Sequence, residues 1–398
     1  MSTFLSDING QYAWEKRAIL LLCEKGMAYS LNDLAKELET SIPRTSRIVN
    51  EMLSEGYLAE LGKQESAGGR RPSIYGLNPD AGYFVGIDVE PQTISIAVTD
   101  FTGRVIQFID KIPFSLEGSE KSAMEFCHTV LKELDKLRID RQQVRSYGVN
   151  LTGRVDHSAG YSYSYYISEE KPIRTVFEEG FGRKVSIDND SRGMAFGEYM
   201  SGTAADAGTV LFLNVSWGLG MGMVLNGKLF LGKSGFAGEV GHFPLLDNHQ
   251  ICRCGKIGCL ETGASGQALH RLVLEKLKDG NPSLLSGRAE DSITLDDILE
   301  AVRKEDVTAI ECVESIGATL GKAVAGLINI FNPDMVIIGG RLCVTERYLM
   351  PQLKMAVNKY SLNLANNDTI IKVSRLGNKA GAIGASLLSK NRLLNNID

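Results

Sequence analysis

The sequence lacks the features that mark membrane and secreted proteins. Its 398 residues contain no apolar run that approaches the roughly 20 residues a membrane-spanning helix needs. The first fifteen residues have neither the basic region nor the apolar core of a signal peptide. Net charge at pH 7 is only −5, which argues against general affinity for nucleic acid. We therefore expect a globular, cytoplasmic protein, with a length that suits two or three domains.

Cysteine is also too sparse for a disulfide framework. Four of the seven cysteines stand far apart among apolar residues and are expected to be reduced core thiols: Cys23, Cys127, Cys312 and Cys343. The other three cysteines lie within eight residues of one another, a clustering that is typical of metal sites in intracellular proteins.

That cluster forms a candidate metal site with a histidine just upstream. The residues are His242, Cys252, Cys254 and Cys259, and thiolate and imidazole are the ligands that tetrahedral zinc prefers. Glycines at 255 and 258 let the chain turn back towards a metal. We predict one structural Zn²⁺ per chain; the alternative is three reduced cysteines in a surface loop.

Two carboxylates in the same stretch, Glu239 and Glu261, are not needed by zinc. The pattern Gly-Glu-Val-Gly-His over 238–242, followed by Cys-x-Cys-Gly-x-x-Gly-Cys-x-Glu, resembles the signature of the ROK family (repressor, open reading frame, kinase). The resemblance implies that His242 and the three cysteines bind zinc and that both glutamates face a sugar. A loop pinned by metal is a rigid base for such side chains.

The first eighty residues show the pattern of three short helices. Trp14, Ala18 and Leu21 recur at helical spacing and predict the buried stripe of the first helix. Ser30 is placed to cap the second helix. Pro43 falls in the first turn of the third, where a missing N–H costs nothing.

A β-hairpin follows these helices, with strands over 57–61 and 73–77 and a connecting loop that contains Gly-Gly-Arg-Arg-Pro. This order is typical of a winged helix-turn-helix, whose recognition helix enters the major groove while the wing reaches phosphates or the minor groove. The segment also resembles that of ROK repressors. The alternative is a helical dimerisation module with a basic loop. The residues predicted to contact DNA are Arg44, Thr45, Arg47, Asn50, Arg70 and Arg71.

From residue 83 the sequence alternates buried strands with long amphipathic helices, in an order that occurs twice. Two copies of a three-strand meander followed by helices suggest two lobes. The ROK resemblance implies an α/β, actin-like and ribonuclease-H-like sugar-kinase fold. The predicted domains are a small α+β winged helix-turn-helix at 1–80, a first lobe at 81–195 completed by 376–398, and a second lobe with the zinc-binding loop at 196–375.

The resemblance also implies sugar-binding residues in the first lobe. Asn189 and Asp190 follow a buried strand at the place where ROK kinases bind sugar, and Gly153 lies in a loop similar to the sugar-side loop of the family. Asp190 would be a vestigial general base, or the catalytic one in a kinase; it could also be a helix N-cap. The predicted sugar-binding set is Gly153, Asn189, Asp190, Glu239, His242 and Glu261.

The expected phosphate-binding loops depart from those of the kinases. Their first strand ends in Asp-x-Gly-Gly-Thr, whereas residues 88–93 here read Asp-Val-Glu-Pro-Gln-Thr. Pro91 has no N–H to donate, and Glu90 puts a negative charge where phosphates would lie; like charges about 4 Å apart repel by ~4 kcal/mol at an effective dielectric constant of about 20. In the second loop, Trp217 replaces a small residue. We expect ATP binding to be lost or very weak.

These observations predict a sugar-responsive, DNA-binding transcriptional regulator of carbohydrate metabolism, most simply a repressor, and no catalytic activity. It would bind double-stranded operator DNA as a homodimer or a dimer of dimers. The first alternative is an ATP-dependent ROK sugar kinase that carries a DNA-binding segment. The second is a non-catalytic protein in which zinc holds a surface for docking a partner.

Overall fold

The computed structural model describes residues 12–63, 71–164, 171–204 and 207–395. The chain divides into two compact units, Met1–Gly193 with Gly381–Asp398 and Met194–Ala380. Across the described ranges, none of the helices is both long and apolar enough to cross a membrane.

Helices and strands are numbered in chain order. The helices are α1 (Ala13–Leu22), α2 (Leu31–Glu37), α3 (Ile42–Ser54), α4 (Glu120–Lys136), α5 (Ile173–Phe181), α6 (Asp190–Ser201), α7 (Gly266–Lys278), α8 (Leu295–Arg303), α9 (Val307–Phe331), α10 (Glu346–Tyr360), α11 (Asn363–Asp368) and α12 (Ala380–Asn395). The strands are β1 (Tyr29–Ser30), β2 (Leu58–Lys63), β3 (Ser73–Leu77), β4 (Tyr83–Val89), β5 (Thr93–Asp100), β6 (Val105–Pro113), β7 (Val144–Leu151), β8 (Val155–Asp156), β9 (Tyr161–Ser162), β10 (Lys184–Asn189), β11 (Val210–Val215), β12 (Leu219–Leu225), β13 (Lys228–Leu229), β14 (Met335–Gly339) and β15 (Ile370–Val373).

The first three helices pack with a small antiparallel sheet of order β1-β3-β2. Ser30 caps α2 and forms a reciprocal capping box with Asp33. Pro43 lies in the first turn of α3, as its sequence position predicts. Ser41 occupies the N-cap position of α3, although its side chain makes no capping hydrogen bond.

The buried face of α1 differs from the predicted stripe. Trp14 is 68% exposed, and the buried residues are instead Ala13, Lys16, Ile19 and Leu20. Lys16 is tolerated there because its ammonium group bonds to two carboxylates. These are Glu51 on α3, at 2.6 Å, and Glu55 directly after α3, at 2.8 Å. Ala18 and Leu21 are partly buried against the same core, so the predicted stripe was wrong at Trp14. A hydrophobicity pattern would not place a lysine inside.

Each unit contains a five-stranded mixed sheet, and the two sheets have equivalent topology. The strand order is β6-β5-β4-β7-β10 in the first and β13-β12-β11-β14-β15 in the second. In both, the first three strands in the chain form an antiparallel meander, and the last two run parallel to its first strand. The repeated α/β arrangement predicted from the sequence is confirmed.

The closing helix α12 lies directly on the sheet of the first unit. A Cβ atom at Gly86 would lie 2.0 Å from the carbonyl oxygen of Ala382, and one at Gly148 would lie 2.0 Å from that of Ala385. Only glycine permits an approach this close. Hydroxyl pairs add polar contacts, such as Ser146 with Ser389 at 2.6 Å.

The winged-helix segment shares a core with the rest of the first unit. Tyr57 at the start of the hairpin packs on Phe101, with ring centroids 5.8 Å apart, and Phe101 packs on Phe84 of β4. Leu394 of α12 is buried in the same cluster. The second unit has its own large core, in which α9 and α10 pack with α7, α8 and the sheet.

Candidate functional site

The predicted metal ligands converge on one point in the second unit. The ligand atoms of His242, Cys252, Cys254 and Cys259 all lie within 4.8 Å of one another. A short β-bridge between Ile251 and Ile257 brings the cysteines together. Gly255 and Gly258, with φ of 83° and 77°, supply the left-handed turns that this loop requires.

The donor set fits zinc in both type and spacing. Cys254 Sγ lies 3.6 Å from Cys259 Sγ, and Cys252 Sγ lies 3.5 Å from His242 Nδ1. Tetrahedral Zn²⁺ with Zn–S bonds of about 2.3 Å places its sulfur ligands about 3.8 Å apart, so little movement would be needed. A hydrogen bond from the Lys256 N–H lowers the pKa of Cys254, whereas burial raises the pKa of Cys252 and of Cys259.

The two glutamates of the motif differ in environment. Glu239 is exposed, and its carboxylate lies 3.9 Å from Nε2 of His242, the ring nitrogen that does not face the cysteines. Glu261 is only 4% exposed; it accepts a hydrogen bond from the Leu219 N–H at 3.0 Å and lies 3.7 Å from Arg253. At 3.9 Å the Glu239 carboxylate is beyond hydrogen-bonding distance of the His242 ring, and Glu261 joins the loop that contains the three cysteines to β12.

The first-unit members of the predicted sugar set are brought together at the end of β10. The Asn189 side-chain amide donates to the carbonyl of Gly153 at 2.9 Å and to Asp190 at 2.8 Å. Its oxygen accepts from the N–H groups of Ser191 and Arg192, so Asn189 caps the first turn of α6. Burial raises the pKa of Asp190 more than its hydrogen bonds lower it.

A buried ion network lies directly behind these residues. Asp188 pairs with Arg192 of α6 and with Arg392 of α12, and all three side chains are at most 5% exposed. Arg392 also donates to the carbonyl of Ile187 at 2.9 Å. The network fixes the end of β10, yet no sequence motif marks it, because Arg392 is about 200 residues from its partner in the chain.

Comparison with known proteins places this geometry in a family. The model of the ROK family matches residues 84–392. The chain belongs to the ROK family. A xylose repressor from Caldicellulosiruptor bescii is 30% identical over 389 residues, covering 96% of this chain and 95% of that protein. The DNA-binding transcriptional dual regulator NagC of Escherichia coli is 27% identical over 382 residues, covering 96% and 93%.

Solved structures agree with this assignment. The crystal structure of a ROK family transcriptional regulator, a homologue of the E. coli MLC protein, matches with a TM-score of 0.81 and 26% identity and covers 96% of each chain. The family resemblance inferred from the motif over residues 238–261 is confirmed, and so is the fold that it implied.

The segments after β4 and β11 are those in which the sequence predicts altered phosphate-binding loops, and their side chains differ in exposure. After β4, the Glu90 N–H donates to the carbonyl of Thr93 at 2.9 Å, and the Thr93 hydroxyl donates to the Glu90 carboxylate at 3.2 Å. Burial, with Asp190 and Glu90 nearby, raises the pKa of Asp88 well above its usual range. After β11, Trp217 stands half-exposed in the second loop.

The outward face of α3 carries two of the predicted DNA-contacting residues. Arg47 and Asn50 are exposed and lie one helical turn apart, so they share a face. Thr45 is fully buried, and its hydroxyl donates to the Ser41 carbonyl at 3.2 Å. The Thr45 side chain therefore supports the helix from inside and is not offered to DNA.

The other basic residues predicted to contact DNA differ in their existing contacts. Arg44 is exposed but ion-paired with Glu15 at 2.5 Å, and its guanidinium lies 5.1 Å from the ring centroid of Tyr12. Arg71 is exposed at the start of the returning wing strand. Arg70 lies outside the described residues.

Proposed function

We propose that this ROK protein is a sugar-responsive, DNA-binding transcriptional regulator of carbohydrate metabolism, most simply a cytoplasmic repressor. The observation that carries the proposal is its likeness over 96% of its length to proteins named as repressors and regulators, together with the exposed face of α3. That likeness includes the winged-helix segment as well as the two repeated α/β units.

DNA recognition is proposed to use α3 and the wing. Arg can pair with guanine and Asn with adenine in the major groove, so Arg47 and Asn50 are the proposed base-reading residues. Arg44, Arg70 and Arg71 are proposed to contact phosphates, which position the protein without reading sequence. A homodimer or dimer of dimers would present two such helices to a two-fold operator.

Two groups of residues are proposed to bind sugar. In the first unit these are Gly153, Asn189 and Asp190, which the end of β10 holds together. In the second they are Glu239, His242 and Glu261, on or beside the zinc loop. A sugar that binds one arrangement of the protein better than another would shift the population of DNA-binding molecules.

We propose that one structural Zn²⁺ per chain is held by His242, Cys252, Cys254 and Cys259. A bound zinc would supply cross-links within the loop, which has little regular structure of its own. The protein's own residues support that site: Glu239 faces the free nitrogen of His242, and Glu261 anchors the loop to β12.

We propose that the ATP site is degenerate. Glu90 places a carboxylate in the first loop and is hydrogen-bonded to Thr93. Burial first, and then the nearby carboxylates of Asp190 and Glu90, raise the pKa of the neighbouring Asp88. The alternative, a sugar kinase with a DNA-binding segment, is supported by the presence of Asp190 at the position of the general base.

The proposal is tested by fluorescence anisotropy with labelled DNA from around the gene, at two salt concentrations, with and without D-xylose or N-acetylglucosamine. We expect salt-sensitive, sequence-preferring binding that one sugar changes. Arg47→Ala should lose the preference, and Arg104→Ala, on an exposed turn of the first unit, is the matched control. Failure to bind any fragment selectively in any ligand condition would refute the proposal.

The kinase alternative has its own assay. Zinc-loaded protein is incubated with ATP and each sugar, and ADP release is measured for the natural chain and for Asp190→Asn. ADP release that depends on sugar and disappears in Asp190→Asn would make the kinase a better description of this protein than the regulator.

A further inference from the structure

A cavity of about 350 Å³ lies within the second unit, where the loop after β11 meets the first turns of α7 and the zinc loop. This volume falls in the range of small-molecule pockets, roughly 300–1,000 Å³. The argument depends on six of its lining residues: Trp217, Gln250, Glu261, Gln267, His270 and Arg271. Apart from Glu261, they are outside the predicted sugar-binding set.

Trp217 gives this cavity a flat apolar surface that the fold holds in place. Its carbonyl accepts a hydrogen bond from the Gln267 N–H at 2.9 Å, and the Ser216 carbonyl accepts one from the Gly266 N–H at 2.7 Å, so the loop is tied to α7. The indole packs at a tilt against His270, with centroids 5.7 Å apart, yet Trp217 stays 42% exposed. Such a ring can support the apolar face of a ligand.

The polar groups around Trp217 include both donors and acceptors. Nε2 of His270 donates to the Ile293 carbonyl at 2.8 Å, which leaves Nδ1 as an acceptor in the neutral ring. Gln250 and Gln267 are exposed, and each side-chain amide can donate and accept. Hydroxyl groups also do both, so this lining suits a ligand that carries several of them.

The charges of the lining do not favour a phosphate. Arg271, the guanidinium among the lining residues, donates to the Thr262 carbonyl at 2.9 Å and lies 3.3 Å from the Glu275 carboxylate. Glu261 is buried and lies 3.7 Å from the guanidinium of Arg253. Phosphate sites depend on cationic or N–H donors that are available to the anion, whereas each of these two guanidiniums lies beside a carboxylate.

We propose that this cavity binds an unphosphorylated sugar. The apolar face of the sugar ring stacks on Trp217, and its hydroxyls bond to Gln250, Gln267 and His270. The inference rests on the proposed function, since it names the chemical class of the effector and the surface of the second unit that contacts its ring.

The chain has two tryptophans, so Trp14→Phe leaves Trp217 as the only indole reporter. Full-length, zinc-loaded Trp14→Phe protein is titrated with D-xylose, N-acetylglucosamine, N-acetylglucosamine 6-phosphate and ATP while tryptophan emission is recorded. We expect a saturable change with an unphosphorylated sugar and an affinity at least about tenfold lower for the phosphorylated one. Saturation only by the sugar phosphate or by ATP would overturn the proposal.

Variants test the contacts by calorimetry with the sugar that saturates the emission change. Trp217→Ala and Gln267→Ala should each raise Kd about tenfold or more, which corresponds to about 1.4 kcal/mol, and Trp217→Phe should recover part of the loss. Gln107→Ala removes an exposed amide on β6 in the other unit and should bind like the natural chain. Equal Kd values for Trp217→Ala, Gln267→Ala and the natural chain would overturn the proposal.

Operator binding measured in parallel separates this inference from the proposed function. If a sugar changes DNA affinity equally, and at equal concentration, in the natural chain and in Trp217→Ala, the cavity proposal fails while the regulator stands. If Trp217 emission saturates with an unphosphorylated sugar but no DNA is bound, the cavity proposal is supported and the regulator fails.

Discussion

Replacing Arg392 with methionine tests the buried ion network behind the proposed sugar-binding strand end. The exposed fractions of the side chains are 1% for Asp188, 3% for Arg192 and 5% for Arg392. The change removes the charge and the hydrogen bond to Ile187 but keeps a long side chain at this position of α12. It therefore isolates the ionic contribution from the packing contribution.

The magnitude follows from burial. Removing one partner of a buried ion pair typically costs about 3–5 kcal/mol, because the other charge is left uncompensated. Asp188 keeps Arg192, so we expect the lower end, about 3 kcal/mol. The matched control is Arg141→Met, because Arg141 and Asp135 form an ion pair with side chains 43% and 57% exposed. Such surface pairs contribute less than about 1 kcal/mol.

Urea unfolding of the zinc-loaded protein, followed by circular dichroism, measures both variants against the natural chain. We expect the urea concentration at the midpoint of the first unfolding transition to fall clearly in Arg392→Met and to change little in Arg141→Met. If the two variants lose the same stability, burial is not what makes this network important, and the reasoning is refuted.

The free energy of unfolding, measured as the pH is lowered, gives a second test of the network. Burial, the largest influence, raises the pKa of Asp188, but Arg192 and Arg392 together outweigh it, so the folded-state pKa is lowered. The stabilisation is thus fully present above the unfolded pKa of about 3.9 and is lost as pH falls through the folded pKa. In Arg392→Met the folded pKa of Asp188 rises towards its unfolded value, so Asp188 should account for a smaller loss of stability on acidification than in the natural chain.

Three further predictions concern other parts of the molecule. Cys254→Ser should lower bound zinc below one per chain and lower the melting temperature, measured by metal analysis and calorimetry; folded, metal-free natural protein would contradict the zinc proposal. Arg47→Ala should weaken specific DNA binding by about 1–3 kcal/mol but leave non-specific binding nearly intact, as anisotropy with scrambled DNA would show. Gly381→Ala should cost about 1–3 kcal/mol, because its Cβ would lie 2.0 Å from the Asp88 carboxylate. Its control, Gly326→Ala, meets nothing within 4 Å on α9 and should instead stabilise by up to about 1 kcal/mol; equal effects at the two glycines would rule out the steric explanation.

Local sequence determined much of this protein. The spacing of His242 and the three cysteines, with glycines at the turns, was enough to predict a metal cluster, because all four ligands come from one short stretch. Capping at Ser30 and the place of Pro43 were equally local. The repeated strand order and the family motif were sufficient for the α/β fold, since hydrophobic periodicity and turn residues act over neighbouring positions.

Tertiary structure decided the features that depend on distant partners. Lys16 lies inside because Glu51 and Glu55 meet its charge, which no periodicity in α1 could reveal. Arg392 reaches Asp188 only because α12 returns to the first sheet. In each case burial or charge is balanced by residues remote in the chain, and only the folded backbone brings those residues together.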